Sequence, residues 1–341
     1  MPTAASSSDS GPAPRPGRML VVTAAWGACF VAIRYGLGHA PTLWLASWRA
    51  LLAGAMLLLA AGLTHRPLPR RSDWPILIWL GLINVGLAFA AMFTASTGVS
   101  SGVASVLANA APLLIVLPAW ALYHERPRTT VLVGLAVGYV GLVVTALPAG
   151  GGRGAVLSLG AAAAITVGTL LSRRLTGVDV IQLSAWQFLI GGAMLTGWAA
   201  ATEGPPQVSW SPQFVLALAF LALVGSAASY LLWFAELQRS ALVSVSAWTM
   251  LTPIFGVTFG WLFLRDPLSG EQGIGSVLVL AALAVILAPS PHRRRPEPSR
   301  SAETSAPSNI PPDHRAQGRN THHPLPGVVL GHQDHTREEQ P

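Results

Sequence analysis

The sequence contains no lysine, and only 10% of its 341 residues are charged. Soluble domains carry a charge on about a quarter of their residues, so this composition disfavours a soluble globular protein. All 21 basic residues are arginine and the formal net charge is +7, yet no basic stretch interleaved with aromatic residues accompanies them. The arginines lie between apolar blocks, which indicates loops that face a membrane surface and the cytosol rather than nucleic acid.

Cysteine occurs once, at Cys29 inside the first apolar block. A single thiol excludes an intrachain disulfide framework and a cysteine-based metal cluster, so we expect Cys29 to serve packing. Six histidines lie after residue 290, irregularly spaced in a polar, proline-rich stretch that is typical of disordered chain. The sequence therefore predicts no metal site and no cofactor.

Long apolar runs fill most of the remaining sequence, and 52% of the residues are hydrophobic. About 20 apolar residues in a helix cross a hydrocarbon core of roughly 30 Å. We therefore predict an all-α integral membrane protein. Its ten transmembrane helices are expected at residues 19–37, 42–62, 74–95, 102–122, 130–147, 154–173, 179–201, 212–235, 242–264 and 270–288. Residues 1–18 and 290–341 are predicted to be disordered cytoplasmic segments.

Arginines between the predicted helices indicate the orientation, because positively charged flanks resist translocation. The segments on one side hold only Arg153 and Arg265, whereas those on the other side hold thirteen arginines. Both termini are therefore predicted to be cytoplasmic in a multi-pass protein. The thirteen are Arg15, Arg18, Arg66, Arg70, Arg71, Arg126, Arg128, Arg173, Arg174, Arg239, Arg293, Arg294 and Arg295.

An internal repeat divides the predicted helices into two halves, at residues 19–147 and 154–289. Residues 48–57 (WRALLAGAML) reappear 138 residues later as residues 186–195 (WQFLIGGAML), with six of ten positions identical. Four further pairs share an offset of 141: Pro112 and Pro253, Glu125 and Asp266, Gly134 and Gly275, and Pro148 and Pro289. Each half holds an odd number of helices, so the second half enters the membrane in the opposite orientation. Such inverted five-helix repeats favour alternating-access transport.

Several short motifs in this order resemble the EamA family of the drug/metabolite transporter superfamily. They are Trp26-Gly27 with Phe30 and Arg34, Trp48-Arg49, the segment from Pro112 to Glu125, Tyr230-Leu231-Leu232-Trp233, Pro253, and Arg265-Asp266-Pro267. The resemblance covers residues 19–289, and Asp266 departs from the family's usual Glu. It implies a ten-helix exporter or exchanger of small metabolites, amino acids among them, in a bacterial inner membrane. Helices 1 to 4 and 6 to 9 would surround a central cavity, with helices 5 and 10 at the periphery.

Two arginines lie inside predicted helices, where a charged side chain costs about 2.5 to 3.5 kcal/mol and marks a functional candidate. Arg49, alone or with Arg34, is suited to bind an anionic group of a solute such as a carboxylate. Structural roles are the alternative: Arg34 reaches the outer headgroups, and Arg49 binds free carbonyls or sets topology. Glu236 lies at the end of its helix beside Arg239. No predicted helix carries a carboxylate at its middle, which argues against an acid relay for protons.

Amide side chains provide further candidates near the middle of the membrane. Asn84 and Asn109 would be unfavourable there without hydrogen-bond partners, so either interhelical bonds or a solute cavity explains them. Gln187 occupies the Arg49 position in the second half. The repeat therefore carries a charge on one side only, which would orient a bound substrate.

Aromatic residues and prolines complete the predicted substrate site. An apolar pocket with a few polar tips is typical of small-molecule sites, and its candidate walls are Trp26, Trp186, Tyr230, Trp233 and Trp248. Ordinary packing explains each of these aromatics taken singly. Paired helix breaks point to hinges beside a transporter's site, and Pro112 and Pro253 are the candidates, with static kinks as the alternative.

Two other classes of function compete with transport. Gly98-Val99-Ser100-Ser101-Gly102 has the spelling of a nucleophile elbow, but it connects two predicted membrane helices, and no histidine lies within a predicted helix to act as a base. The chain is therefore predicted not to be an enzyme. A membrane scaffold or ligand sensor with the same fold is the second alternative. The expected partners are a small-molecule substrate and the lipid bilayer, in a monomer or homodimer, with no nucleic acid.

Overall fold

The computed structural model describes residues 12–98, 101–123, 129–146, 152–265 and 269–287. Some features predicted from the sequence lie outside these residues. They are the first 11 residues, Arg126 and Arg128, the pair of Glu125 and Asp266, Pro267, the pair of Pro148 and Pro289, Val99 and Ser100 of the serine motif, and the tail from residue 290 onward.

The described residues form helices, with no β-strand among them. The bounds are α1 Pro16–Leu37, α2 Thr42–Leu63, α3 Arg71–Ala95, α4 Ser101–Ala108, α5 Ala111–Tyr123, α6 Thr129–Ala146, α7 Arg153–Arg173, α8 Val180–Thr202, α9 Pro212–Arg239, α10 Leu242–Leu264 and α11 Gly270–Leu287. A bilayer core offers no water to backbone groups, so a chain this apolar must satisfy its own N–H and C=O groups within helices.

Seven helices in the described part of the chain are long and apolar enough to cross a membrane: α1, α2, α3, α7, α8, α9 and α10. The other helices, α4, α5, α6 and α11, overlap three further predicted spans, at residues 102–122, 130–147 and 270–288, and their outer ends lie within one residue of the predicted ends. The structure therefore supports seven candidate spans, and the count of ten stays a prediction. Helix α1 begins at Pro16, three residues before its predicted start, because proline is well tolerated in the first turn of a helix.

The start of α2 depends on a side chain from the second half. Its N-cap residue is Pro41, which has no side-chain acceptor. The carboxylate of Glu203, directly after α8, instead accepts hydrogen bonds from the backbone N–H of Leu43 at 2.9 Å and of Trp44 at 3.3 Å. A carboxylate at a helix N-terminus satisfies free donors and opposes the helix dipole.

The start of α8 is held in the matching way by the end of α2. Asp179 caps α8 by accepting from the backbone N–H of Ile181 at 2.9 Å. Arg66, just after α2, lies 3.5 Å from the Asp179 carboxylate, and its carbonyl accepts from Gln182 Nε2 at 3.2 Å. Each helix of this antiparallel pair therefore has its first turn fixed by the segment that follows the other.

Glycines bring the middles of α2 and α8 into close contact. A Cβ placed on Gly54 would lie 2.8 Å from Leu189, and one on Gly192 would lie 2.8 Å from Leu51. Leu51 and Gly54 are the residues that the sequence repeat matches to Leu189 and Gly192. The contact is thus reciprocal, with a leucine of each helix packed on the glycine of the other, as close packing of membrane helices commonly requires.

Irregular backbone occurs at equivalent places in the two halves. Helix α3 contains a π-helical segment, Gly81–Leu87, and α9 contains another, Leu223–Ala228. The helical backbone is broken at Asn109 and Ala110 between α4 and α5, and α10 has a 3-10 turn at Thr249–Leu251. π-helical segments are rare and frequently lie at functional sites.

The two predicted hinge prolines lie just after these breaks. Pro112 is in the first turn of α5, and Pro253 is in the first turn of the helical segment Thr252–Leu264. One helical residue separates each break from its proline, and the first turn of a helix tolerates proline because the N–H that proline lacks would have no helical partner there. Each proline therefore starts a helical segment. Whether the breaks move as hinges stays a prediction.

Candidate functional site

A cavity lies among helices from both halves, with lining residues on α1, α2, α3, α4, α5, α7, α9 and α10. Six of the nine residues that the sequence predicted for a binding site line it: Trp26, Arg49, Asn84, Asn109, Tyr230 and Trp233. Apolar side chains make up most of the remaining wall, as in many small-molecule sites.

The other three predicted residues lie outside the lining. Gln187 is fully buried behind Asn84 and accepts its Nδ2–H at 3.0 Å. Trp186 packs edge-on against Trp74, with 4.8 Å between ring centroids, and donates to Gln182 Oε1 at 3.0 Å. Trp248 is buried elsewhere in the core. Helix α8 therefore supports the cavity through Gln187 and contributes no residue to the described lining.

Arg49 is the charged residue of the described cavity lining, and it is only 2% exposed. Its Nε donates to Ser226 Oγ at 2.8 Å, and its Nη2 donates to the Gly225 carbonyl at 3.1 Å. The guanidinium also lies over the Phe89 ring, 4.5 Å from its centroid, in a cation–π contact. Both acceptors belong to the π-helical segment of α9, so an irregular helix in one half fixes an arginine of the other.

The second half repeats this arrangement without the charge. Gln187 stands at the Arg49 position of the repeat, and its amide oxygen accepts from Asn84, which lies in the π-helical segment of α3. Arg49 at the middle of α2 and Gln187 at the middle of α8 therefore each bond to the π-helical segment of the opposite half. Asn84 makes the interhelical bond expected of it and also lines the cavity.

Asn109 lies in the break between α4 and α5. Its Nδ2 donates to the Ser105 carbonyl at 2.7 Å, four residues earlier, which satisfies a carbonyl at the interrupted end of α4. The residue also lines the cavity. This bond is possible because α4 ends at the break and leaves its last backbone carbonyls without their usual N–H partners.

Aromatic rings form one wall of the cavity. The Trp26 ring lies 5.6 Å from that of Tyr230 and 5.2 Å from that of Trp233, and Phe188 packs edge-on against Tyr230 from behind at 4.9 Å. Such contacts between rings stabilise the packing by about 0.5–1.5 kcal/mol per pair beyond the burial of their area. The wall joins α1 of the first half to α9 of the second.

Several lining residues were not predicted from the sequence. They are Cys29, Phe30, Phe89, Met92, Ala108, Ala111, Ile115, Ile165, Thr169, Ser246, Thr249 and Thr252. Most are apolar or small residues within apolar helices, where nothing in the sequence separates a cavity wall from ordinary packing. Cys29, expected only to pack, is buried and also borders the cavity. Arg34 is exposed and lies outside the described lining.

A buried ion cluster lies at the opposite end of α9 from its N-terminus. Glu236 is fully buried and accepts from Arg18 Nη1 at 3.1 Å, from the backbone N–H of Arg15 at 3.1 Å and from Arg239 Nη1 at 3.1 Å. The carboxylate thus ties the start of α1 to the end of α9. These charge-assisted bonds involve residues of both helices, so Glu236 holds the two helix ends together in this structure.

Comparisons with known proteins agree with this architecture. The model of the EamA-like transporter family matches the chain twice, at residues 18–147 and 152–288. An "Uncharacterized transporter YvbV" of Bacillus subtilis is 25% identical over 267 residues, which cover 76% of this chain and 87% of that protein. A "Probable amino-acid metabolite efflux pump" of Salmonella typhimurium is 27% identical over 283 residues, which cover 78% and 92%.

A solved crystal structure has the same fold. It superposes with a TM-score of 0.64 at 21% sequence identity, over 80% of this chain and 98% of that one. The two family matches coincide with the two halves of the sequence repeat, and they extend over every helix that contributes to the cavity. This chain therefore belongs to the EamA-like transporter family and is a multi-pass membrane protein.

Proposed function

We propose that the chain is a secondary transporter that moves small metabolites across a bacterial inner membrane by alternating access. The observation that carries the proposal is the cavity itself, which lies among helices of both halves and holds polar groups beside aromatic walls. A solute bound there would be exposed to one side or the other as the halves move against each other. Export is the proposed direction, in keeping with a relative whose name is that of an efflux pump.

The proposed topology has ten membrane helices in two inverted halves. Helices α4 and α5 count as one broken span, so α1 to α6 form the first half and α7 to α11 the second. The reciprocal contacts of Leu51 with Gly192 and of Leu189 with Gly54 support this division. A pseudo-two-fold axis that relates α2 to α8 would produce both leucine–glycine contacts, because it exchanges the two helices. The arginine distribution supports cytoplasmic termini. The chain would act as a monomer or a homodimer.

Transport can be tested with the purified full chain in proteoliposomes. Vesicles loaded with an extract of small metabolites should release a subset of them faster than protein-free vesicles, and mass spectrometry of the external medium identifies that subset. A scaffold or sensor would bind a ligand without releasing it. Failure to transport any solute that demonstrably binds the purified protein would contradict the proposal.

Alternating access can be tested with Cys29, which lines the cavity and is the one cysteine of the sequence. A membrane-impermeant maleimide should label it from either face of the membrane, in vesicles of opposite orientation, and addition of a transported solute should shift the ratio of the two labelling rates. Labelling from one face alone, with and without solute, would contradict alternating access. A Cys29→Ala variant controls for other reactive groups.

A further inference from the structure

The described lining of the cavity carries a positive charge without a negative one. Arg49 lines it, and no Asp or Glu is among the described lining residues. The hydrogen-bond partners of the Arg49 guanidinium are neutral, namely the Ser226 hydroxyl, the Gly225 backbone carbonyl and the Cys29 sulfur. A buried charge without a counterion is unfavourable, so its retention beside a cavity points to an anion that arrives with the solute.

The free hydrogen-bonding groups at the cavity point the same way. A guanidinium has five N–H groups, and those on Nε and Nη2 are engaged, whereas buried Nη1 has no partner among the described residues. The buried Trp26 Nε1 also has none, and it can only donate. The Thr252 hydroxyl is a third buried group without a described partner. A solute that supplies acceptor oxygens would satisfy these donors.

We propose that the transported solute is a carboxylate-bearing organic anion, bound through its carboxylate to Arg49 Nη1 with its apolar body against the aromatic wall. The inference rests on the proposed transport function and names the substrate class for that cavity. Because Nε and Nη2 are held by α9, the carboxylate meets Nη1 rather than the full fork of the guanidinium. The charge-assisted bond is of the strong kind, and the rings of Trp26, Tyr230 and Trp233 supply the apolar surface.

The same geometry discriminates against amino acids in their zwitterionic form. An α-ammonium group bound next to the carboxylate would lie near the Arg49 charge, and the described lining offers it no carboxylate partner. Leaving one charge of a solute unpaired in a desolvated site lowers its affinity strongly. Carboxylates without an ammonium, such as deaminated or N-acylated amino acids, are therefore the preferred solutes.

The test compares compounds that share a body and differ in charge. The purified full chain is heated with 3-phenylpropanoate, phenylalanine, phenethylamine or 3-phenylpropanamide, and the panel is repeated with aliphatic and indole bodies. Ligand binding raises the apparent melting temperature by an amount that grows with the ratio of the free ligand concentration to its Kd. At least one carboxylate should raise the melting temperature at a concentration at least tenfold lower than its zwitterionic, cationic and neutral analogues need for the same rise. Slower labelling of Cys29 by maleimide should accompany that shift.

Arg49→Gln should weaken binding of that carboxylate at least tenfold. The variant has a ready place in the fold, because glutamine already occupies the equivalent position 187 and bonds to a π-helical segment there. Arg49→Lys, which keeps the charge, should recover part of the affinity and provides a second variant if Arg49→Gln folds poorly. Arg153→Gln, which removes an exposed arginine at the start of α7 outside the described lining, is the matched control and should bind as the wild type does.

The outcomes separate this inference from the proposed function. Preferential stabilisation by amines, zwitterions or neutral compounds would overturn the inference, and release of such compounds from loaded proteoliposomes would leave transport standing. The inference would also be overturned if none of the phenyl, aliphatic or indole carboxylates stabilised the protein. Carboxylate binding that depends on Arg49 without any release of the bound compound would support the ligand class and contradict transport.

Discussion

Arg49 Nε donates to Ser226 Oγ at 2.8 Å, a bond between residues 177 positions apart in the chain. It connects the middle of α2 to the π-helical segment of α9. Its counterpart in the other direction is the bond from Asn84 to Gln187, at 3.0 Å. The two halves thus exchange equivalent polar contacts, and only one of the two contacts brings a charge to the cavity.

Ser226→Ala should destabilise the protein by leaving Nε–H of a buried guanidinium without an acceptor, a loss of about 1–3 kcal/mol. In combination with Arg49→Gln the two effects should be non-additive, because they remove parts of one contact. Thermal unfolding of the four proteins measures this coupling. The control is Ser184→Ala, which removes a fully buried hydroxyl that has no partner among the described residues. Additive losses would mean that the bond contributes nothing of its own.

Gly192→Ala should disrupt the close contact of α2 and α8, since its Cβ would lie 2.8 Å from Leu51 Cδ2 and 3.1 Å from the Leu51 backbone nitrogen. Overpacking of this kind typically costs about 1–3 kcal/mol. Gly197→Ala on the same helix is the matched control, because nothing lies within 4 Å of its added Cβ. There the better helix propensity of alanine should leave stability unchanged or slightly raised. Equal melting temperatures for the two variants would contradict the reported packing.

Glu236→Gln should loosen the connection between the start of α1 and the end of α9. The substitution removes the negative charge that Arg18 and Arg239 both contact, although a neutral amide can still accept one bond. Because both arginines are partly exposed, we expect a loss of about 1–3 kcal/mol, below the full cost of breaking a buried ion pair. Glu271→Gln, at an exposed position in the first turn of α11, should have little effect on thermal unfolding.

Glu203→Ala should weaken the start of α2, because Pro41 cannot replace the lost acceptor for the Leu43 and Trp44 N–H groups. Loss of a helix cap costs about 0.5–2 kcal/mol. Amide hydrogen exchange in the first turn of α2 should rise in this variant. Thr202→Ala removes the neighbouring exposed hydroxyl, which bonds only within its own helix to the Trp198 carbonyl, and should leave exchange in α2 unchanged. Unchanged protection in Glu203→Ala would contradict the cross-helix cap.

Most of the fold's outline follows from one physical constraint that the sequence displays directly. Apolar runs must become helices in a bilayer, because only a helix satisfies its own backbone there. The seven helices long enough to span agree with predicted segments, and the two family matches coincide with the two repeats. The irregular segments were less visible. Gly225 and Ser226 align with the Asn84 region, yet no rule of composition predicts a π-helical segment there.

The sequence by itself predicted the seven long apolar helices, indicated two halves that the family model also matches separately, and showed which few residues within apolar segments are polar. Only the tertiary structure decided which of those groups share a cavity. Trp186 and Gln187 are neighbours in sequence, but one packs against Trp74 and the other bonds to Asn84. Helices that are apolar on every side carry no periodicity to show which face is turned inward. Contacts with distant helices settle that question, and so the partners that hold Arg49 at the cavity come from the opposite half of the chain.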